Sequence, residues 1–150
     1  MNEYTHFGAK AFDPSRFEPI RNDNWVKPRG GLWASPMNAA YGWNAWCKDQ
    51  QFREYAPDDN FTFTLKPGSY VLRLRHVDDL EHLPKTHLHR SPTSTAMLDF
   101  EELARIGVDA IDVDISHGGG LYMALYGWDC DTLLVLNPDA IEEGTDAKDD

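Results

Sequence analysis

Between residues 60 and 75 apolar and polar positions alternate. In NFTFTL, Phe61, Phe63 and Leu65 fall on one face and Thr62 and Thr64 on the other, the period of a strand with one buried face. In YVLRLRH, Tyr70, Leu72 and Leu74 share one face and Val71, Arg73 and Arg75 the other. KPGS lies between them, with proline then glycine at its centre. That is a type II turn sequence, so the two runs predict a β-hairpin. DAIDVDIS alternates again, predicting Ile111, Val113 and Ile115 inward and Asp112 and Asp114 outward into solvent. TLLVLN is apolar almost throughout and predicts a central strand covered on both faces. EYTHFG and GLWAS predict shorter strands, the second ended by Pro36.

Helical spacing is rarer. Residues 38–52 carry Trp43, Trp46 and Cys47 on one stripe behind Asn38, a good N-cap. Gly42 weakens that helix by about 1 kcal/mol relative to alanine. MLDFEELARIG predicts a helix stopped by Gly107, and residues 77–83 a short one. FDPSRFEPI has turn chemistry, with Phe12, Phe17 and Ile20 as apolar anchors. The strands show no repeated βαβ rhythm. The expectation is therefore a small single α+β domain, residues 1–142, with a mostly antiparallel or split mixed β-sheet and two or three short helices. Residues 143–150 form an acidic tail predicted to be disordered.

Charge narrows the function. The chain has 150 residues and a formal net charge of −11, which disfavours nonspecific nucleic-acid binding. A small basic cluster, Arg73, Arg75 and His76 and then Lys85 to Arg90, interrupts the acidity. No apolar run approaches the ~18 residues of a membrane span, and the polar start MNEYTHFGAK lacks a signal core. A cytoplasmic protein with no membrane partner is expected. Cys47 and Cys130 form no CxxC pair; buried thiols are expected, with a disulfide left open.

Several chemistries are unsupported. GxGxxG and P-loop patterns are absent, and Gly30-Gly31 precedes a strand rather than a helix. Gly118 to Gly120 fits either close approach to a ligand or a loose turn. His76 lies upstream of His82, His87 and His89; the stretch from His82 to His89 has loop composition and no carboxylate, so no metal site is expected. Ser35 lies in WASP, not in a nucleophile elbow, and only Lys48 adjoins Cys47.

Two stretches remain, YTHFGAKAFDPSRF and GGLWASPMNAAY. Their order resembles the ADP-ribosyltransferases, in particular the diphtheria-toxin and poly-ADP-ribose polymerase branch. That branch spreads a His–Tyr–Glu set over three strands. His6 resembles its first element. Gly31, Leu32, Trp33, Ser35 and Tyr41 resemble the second in order. DAIDVDIS followed by WDCDTLLVLNPDAI resembles the last. The resemblance implies an NAD site in which His6 holds the adenosine ribose and Tyr41 stacks on nicotinamide. Gly8, Gly31, Trp33 and Ser35 would line it.

The chain departs from that pattern twice. It has His6-Phe7-Gly8 where the family has His-Gly, and Thr132 where the family has its glutamate. Asp131 and Asp129 are the nearest carboxylates, with Asp112 and Asp114 as alternatives. Asp131 is taken as the catalytic candidate, one methylene shorter than glutamate. The function implied is transfer of ADP-ribose from NAD to a macromolecule or nucleotide, as in a toxin, a phage effector or an anti-defence protein. The alternative is a non-enzymatic acidic inhibitor or immunity protein whose exposed aromatics anchor a basic partner. The placement of Trp25, Trp33, Trp43 and Trp46 would separate the two.

Overall fold

The computed structural model describes residues 3–7, 9–22, 28–37, 60–86, 97–115 and 130–143. In chain order the strands are β1 (Tyr4–Phe7), β2 (Leu32–Pro36), β3 (Asn60–Leu65), β4 (Val71–Leu74), β5 (Lys85–Thr86), β6 (Met97–Leu98), β7 (Ala110–Val113), β8 (Thr132–Val135) and β9 (Ile141–Glu143). Helix α1 spans Phe100–Arg105, and three 3₁₀ turns cover Pro14–Arg16, Val77–Leu80 and Pro138–Ala140. Seven strands form one mixed sheet in the order β4-β7-β8-β2-β1-β3-β9, and β5 and β6 pair separately. Among the described residues only the β4–β7 pairing is parallel. A mostly β arrangement with few helices among the described residues matches the expected class. The helix predicted over 38–52 lies outside the described residues, as do Trp25, Trp43, Trp46 and Cys47.

The predicted hairpin does not form. Its turn does: the Ser69 N–H donates to the Lys66 carbonyl at 3.2 Å, and Gly68 sits at φ +85°. Yet β3 pairs with β1 and β9, and β4 pairs with β7. Both edges of β3 are already occupied. The second edge is taken by β9, a short strand the sequence pattern does not announce. Glu143, counted above in the tail, pairs there with Phe63.

This order bends the sheet. Flat, β3 and β4 would stand about 24 Å apart at the usual strand spacing. Lys66–Tyr70 could span only about 20 Å even fully extended, and a turn shortens it. The sheet therefore curls, with β2 as the shared strand: its end, Ser35 and Pro36, pairs with β1, while Leu32–Ala34 pair with β8. The curl brings the Tyr4 hydroxyl of β1 within 3.5 Å of an Asp112 carboxylate oxygen on β7, although two strands lie between them.

Alternation along each strand now feeds two cores. Tyr4, Phe61, Phe63, Leu65, Leu133, Val135 and Ile141 fill the inside of the curl. Ile111, Val113, Leu134 and Leu74 pack outside it with Phe100 and Leu103 of α1. Strand β8 is buried throughout, as its apolar run predicts. Strand β7 is also buried on both faces, which corrects the expectation for Asp112. That residue points into the curl and is only 3% exposed. Arg73 Nη1 meets its Oδ2 at 2.8 Å and Arg75 Nη1 its Oδ1 at 3.3 Å. Asp114, just beyond the strand, is half-buried. Asp99 caps α1 by accepting from the Glu102 N–H at 3.0 Å, and Gly107, at φ +103°, ends it as predicted.

Gly30 and Gly31 let the chain enter β2. Their φ values are +81° and +71°, a region that costs a side-chain-bearing residue about 1–2 kcal/mol. A Cβ on Gly30 would lie 2.3 Å from the Pro19 carbonyl oxygen. One on Gly31 would lie 2.7 Å from Leu134 Cδ1 and 2.9 Å from the Val135 oxygen. Gly68 also has positive φ but meets nothing within 4 Å. In urea denaturation, Gly68→Ala is expected to cost about 1 kcal/mol, the backbone term alone. Gly30→Ala, which adds a clash with fixed backbone, should cost about 3 kcal/mol or more. Equal losses would contradict the close approach.

Candidate functional site

The site starts from register. His6 on β1 stands opposite Phe61 on β3, so both side chains emerge inside the curl, with ring centroids 5.2 Å apart. The next pair along, Tyr4 and Phe63, is 5.8 Å apart and closes the interior behind them. After β1 the chain turns through AFDPSRF. Asp13 caps the Pro14–Arg16 turn, its Oδ1 accepting from the Ser15 hydroxyl at 2.6 Å and the Ser15 N–H at 3.0 Å. The hydroxyl contact above all holds the Asp13 carboxyl below the usual carboxylate range, helped by the N–H and by the nearby Arg16 charge. The turn brings Phe12 to 6.3 Å from Phe61, and the Phe12 N–H donates to Glu143 Oε2 at 3.3 Å. A cavity of about 300 Å³ results, lined chiefly by His6, Phe12, Arg16, Phe17, Gly31 and Phe61.

His6 is the polar group built most firmly into this cavity. Its Nδ1 lies 2.7 Å from the Trp33 carbonyl oxygen. Burial lowers its pKa below 6.5, and the carbonyl contact only partly offsets this. The ring is therefore neutral near pH 7. A carbonyl can only accept, so Nδ1 carries the proton and Nε2 is left as an acceptor. A neutral acceptor beside aromatic faces suits a hydroxyl donor such as a sugar.

The predicted site residues divide between two places. His6 and Gly31 line the cavity, together with Asp13. The Trp33 side chain, one residue along β2 from Leu32, projects to the opposite face of the sheet. There it packs against the outer core, and its Nε1–H donates to the Gly30 carbonyl at 3.1 Å. What Trp33 gives the cavity is the carbonyl that orients His6. Ser35 and Asp131 do come together: the Ser35 hydroxyl donates to the Asp131 carbonyl at 3.1 Å. Asp131 is 3% exposed and its Oδ1 accepts the Ile115 N–H at 3.0 Å. Neither lines the His6 cavity. The Thr132 hydroxyl turns back to the Cys130 carbonyl at 2.8 Å. Tyr41, Gly8 and Asp129 lie outside the described residues.

The sequence marks Phe12 and Phe17 as apolar anchors and Phe61 as a buried strand position, and it points to neither Arg16 nor Phe61 as a site residue. The available signal was the Asp13-Pro14-Ser15 cap directly after a strand, which fixes where Arg16 and the flanking phenylalanines stand. Of the histidines set aside as a metal set, His76 caps the Val77–Leu80 turn by accepting the Asp78 N–H at 3.1 Å; His87 and His89 are outside the described residues. Among the described residues no helix is long and apolar enough to cross a membrane. The chain matches no family model, no curated protein and no solved structure.

The depressed His6 value has a signed consequence. Between its folded value and 6.5 the unfolded chain binds the proton more readily than the folded one. The contribution of His6 to stability is therefore complete above 6.5 and falls as pH drops through the folded value. Proton NMR of the imidazole should give a midpoint below 6.5, and His6→Phe should remove that part of the acid destabilisation. A midpoint above 6.5 would overturn the neutral, Nδ1-protonated assignment.

Proposed function

We propose that the His6 cavity binds NAD and that the protein transfers ADP-ribose from it to a macromolecular or nucleotide acceptor. One observation carries this reading. A neutral histidine acceptor, three phenylalanine rings and the cation Arg16 converge on one cavity, on the strand where the resemblance to ADP-ribosyltransferases puts its histidine. These are the complements of a hydroxyl-bearing ribose, an aromatic base and a phosphate. Among the described residues no hydrogen bond or ion pair engages the Arg16 guanidinium. A cavity of about 300 Å³ sits at the lower end of the range for ligand sites, so it accounts for one nucleoside half of the dinucleotide.

In the reaction, the bond between ribose C1′ and the nicotinamide nitrogen breaks, and its electron pair leaves with nicotinamide. The acceptor's lone pair forms the new bond to C1′ and the acceptor loses its proton. Positive charge builds on the ribose ring as the bond stretches. His6 Nε2 fixes a ribose hydroxyl, the phenylalanines exclude water, and Arg16 holds phosphate. The stabilising carboxylate has two candidates of opposite character. Asp131 sits beside Ser35 but is buried and holds the Ile115 N–H. Asp13 lines the cavity itself and is kept ionised by Ser15.

The second reading, a non-enzymatic acidic inhibitor or immunity protein, draws on a specific observation. Thr132, where the resemblance would put the family glutamate, directs its hydroxyl to the Cys130 carbonyl. With a net charge of −11, such a protein would cover a basic partner.

Calorimetric titration with NAD tests both. Binding in the micromolar to submillimolar range is expected, weakened at least about tenfold by His6→Ala and by Arg16→Gln, the loss of one charge-assisted or buried hydrogen bond. Nicotinamide release should then disappear in whichever of Asp13→Asn or Asp131→Asn removes the working carboxylate. No NAD binding by folded protein would sink the nucleotide reading and leave the inhibitor.

A further inference from the structure

A second cavity, of about 210 Å³, opens between β4 and the end of β3, where the curl brings the two sides of the sheet together. Tyr4, Leu65, Lys66, Ser69, Val71 and Arg73 line it. It lies at the opposite end of β1 and β3 from His6 and Phe61, and shares no lining residue with the His6 cavity. On a chain with a net charge of −11, this lining holds two cations and no carboxylate.

The cations are differently placed. Lys66 extends from the turn, and its ammonium has no hydrogen bond or ion pair among the described residues. Arg73 is held: one guanidinium nitrogen, Nη1, donates to the buried Asp112 at 2.8 Å, while its side chain remains 49% exposed. Asp112 also takes Arg75 Nη1 on its other oxygen. A single buried negative charge thus orients two guanidinium groups and leaves the cluster net positive. The backbone adds a donor. Tyr70 and Leu74 turn their carbonyls to β7, accepting from Ala110 at 3.3 Å and from Asp114 at 3.0 Å. By strand alternation the Arg73 N–H faces the other way, into the seam. Edge strand β4 has no partner there among the described residues.

We propose that this seam cavity is an oxyanion site that takes a phosphate group, gripped by the Arg73 guanidinium and backbone N–H on one side and the Lys66 ammonium on the other. Arginine supplies directed N–H donors and lysine a mobile point charge, a pairing suited to a tetrahedral oxyanion. Asp112 acts as a positioning residue, setting the guanidinium without touching the ligand. The phosphate could be free or esterified; the recognising chemistry is the same.

The test is amide NMR of the full chain titrated with inorganic phosphate and, separately, with phenyl phosphate, at constant ionic strength. Saturable shifts confined to Leu65–Arg73 and Tyr4 are expected. Arg73→Gln and Lys66→Gln should each weaken binding about tenfold, and Asp112→Asn should weaken it less while leaving both cations in place. Tighter binding of phenyl phosphate would assign the site to esterified phosphate, and equal binding to the free ion. His6→Ala should leave these shifts unchanged, which separates this site from the NAD reading. Absence of saturable shifts in the folded protein, or full binding by Arg73→Gln, would overturn the proposal.

Discussion

A connection of five residues, Lys66–Tyr70, has to carry the chain from β3 to the far edge of a seven-stranded sheet. It can do so only if the sheet curls, and the rest of the architecture follows from that. Curling gives the sheet an inside, and the inside must be filled. Tyr4, Phe61 and Phe63 supply the volume, and their stacking contacts reward close approach of β1 and β3. It also means that a strand such as β7 has no solvent face. Any polar residue on β7 must bring its partners with it, as Asp112 does with Arg73 and Arg75.

Strand β2 is where the two halves meet, and it separates the chemistry by face. Its Trp33 and Ser35 side chains serve the outer side and the β8 junction, while its backbone serves the inner side through the Trp33 carbonyl. The glycine pair before it removes the side chains that would collide with Pro19 and Leu134. The carbonyl that orients His6 is therefore fixed by packing on both sides of the strand. The Nδ1–carbonyl distance of 2.7 Å thus depends on packing on both faces of the strand.

Much of the fold was legible. Period-2 patterns located β3, β4 and β7, the apolar run located β8, and Gly107 marked the end of α1. What alternation reports is which residues share a face. It does not report what covers that face, so Asp112 was expected in solvent. Nor does it report which edge a strand will find. KPGS makes its turn, but the neighbours of β3 were decided by β1 and by the short β9, three residues with no pattern to read. At the cavity, His6 and Gly31 are two residues the sequence singles out, and both line it. Arg16 is not singled out, because its place depends on how a capped turn packs over Phe61. Trp33 was assigned a lining role that its side chain, on the other face, does not fill; only the tertiary register shows that its carbonyl matters instead.

The turn at Pro67-Gly68 has a kinetic side. It is local, favoured by its own sequence, and flanked by two strands with matching alternation, so it is among the fastest pieces of structure this chain can make. The hairpin it promotes is not in the native sheet. The native partners of β3 and β4 come from both ends of the chain: β1 before them, β7 and β9 after. A nascent chain that pairs β3 with β4 has to undo that pairing before β7 and β9 can dock, which raises the barrier beyond that of a sheet already dominated by distant contacts. The same five residues that shape the finished sheet thus place a competing structure early on the route to it.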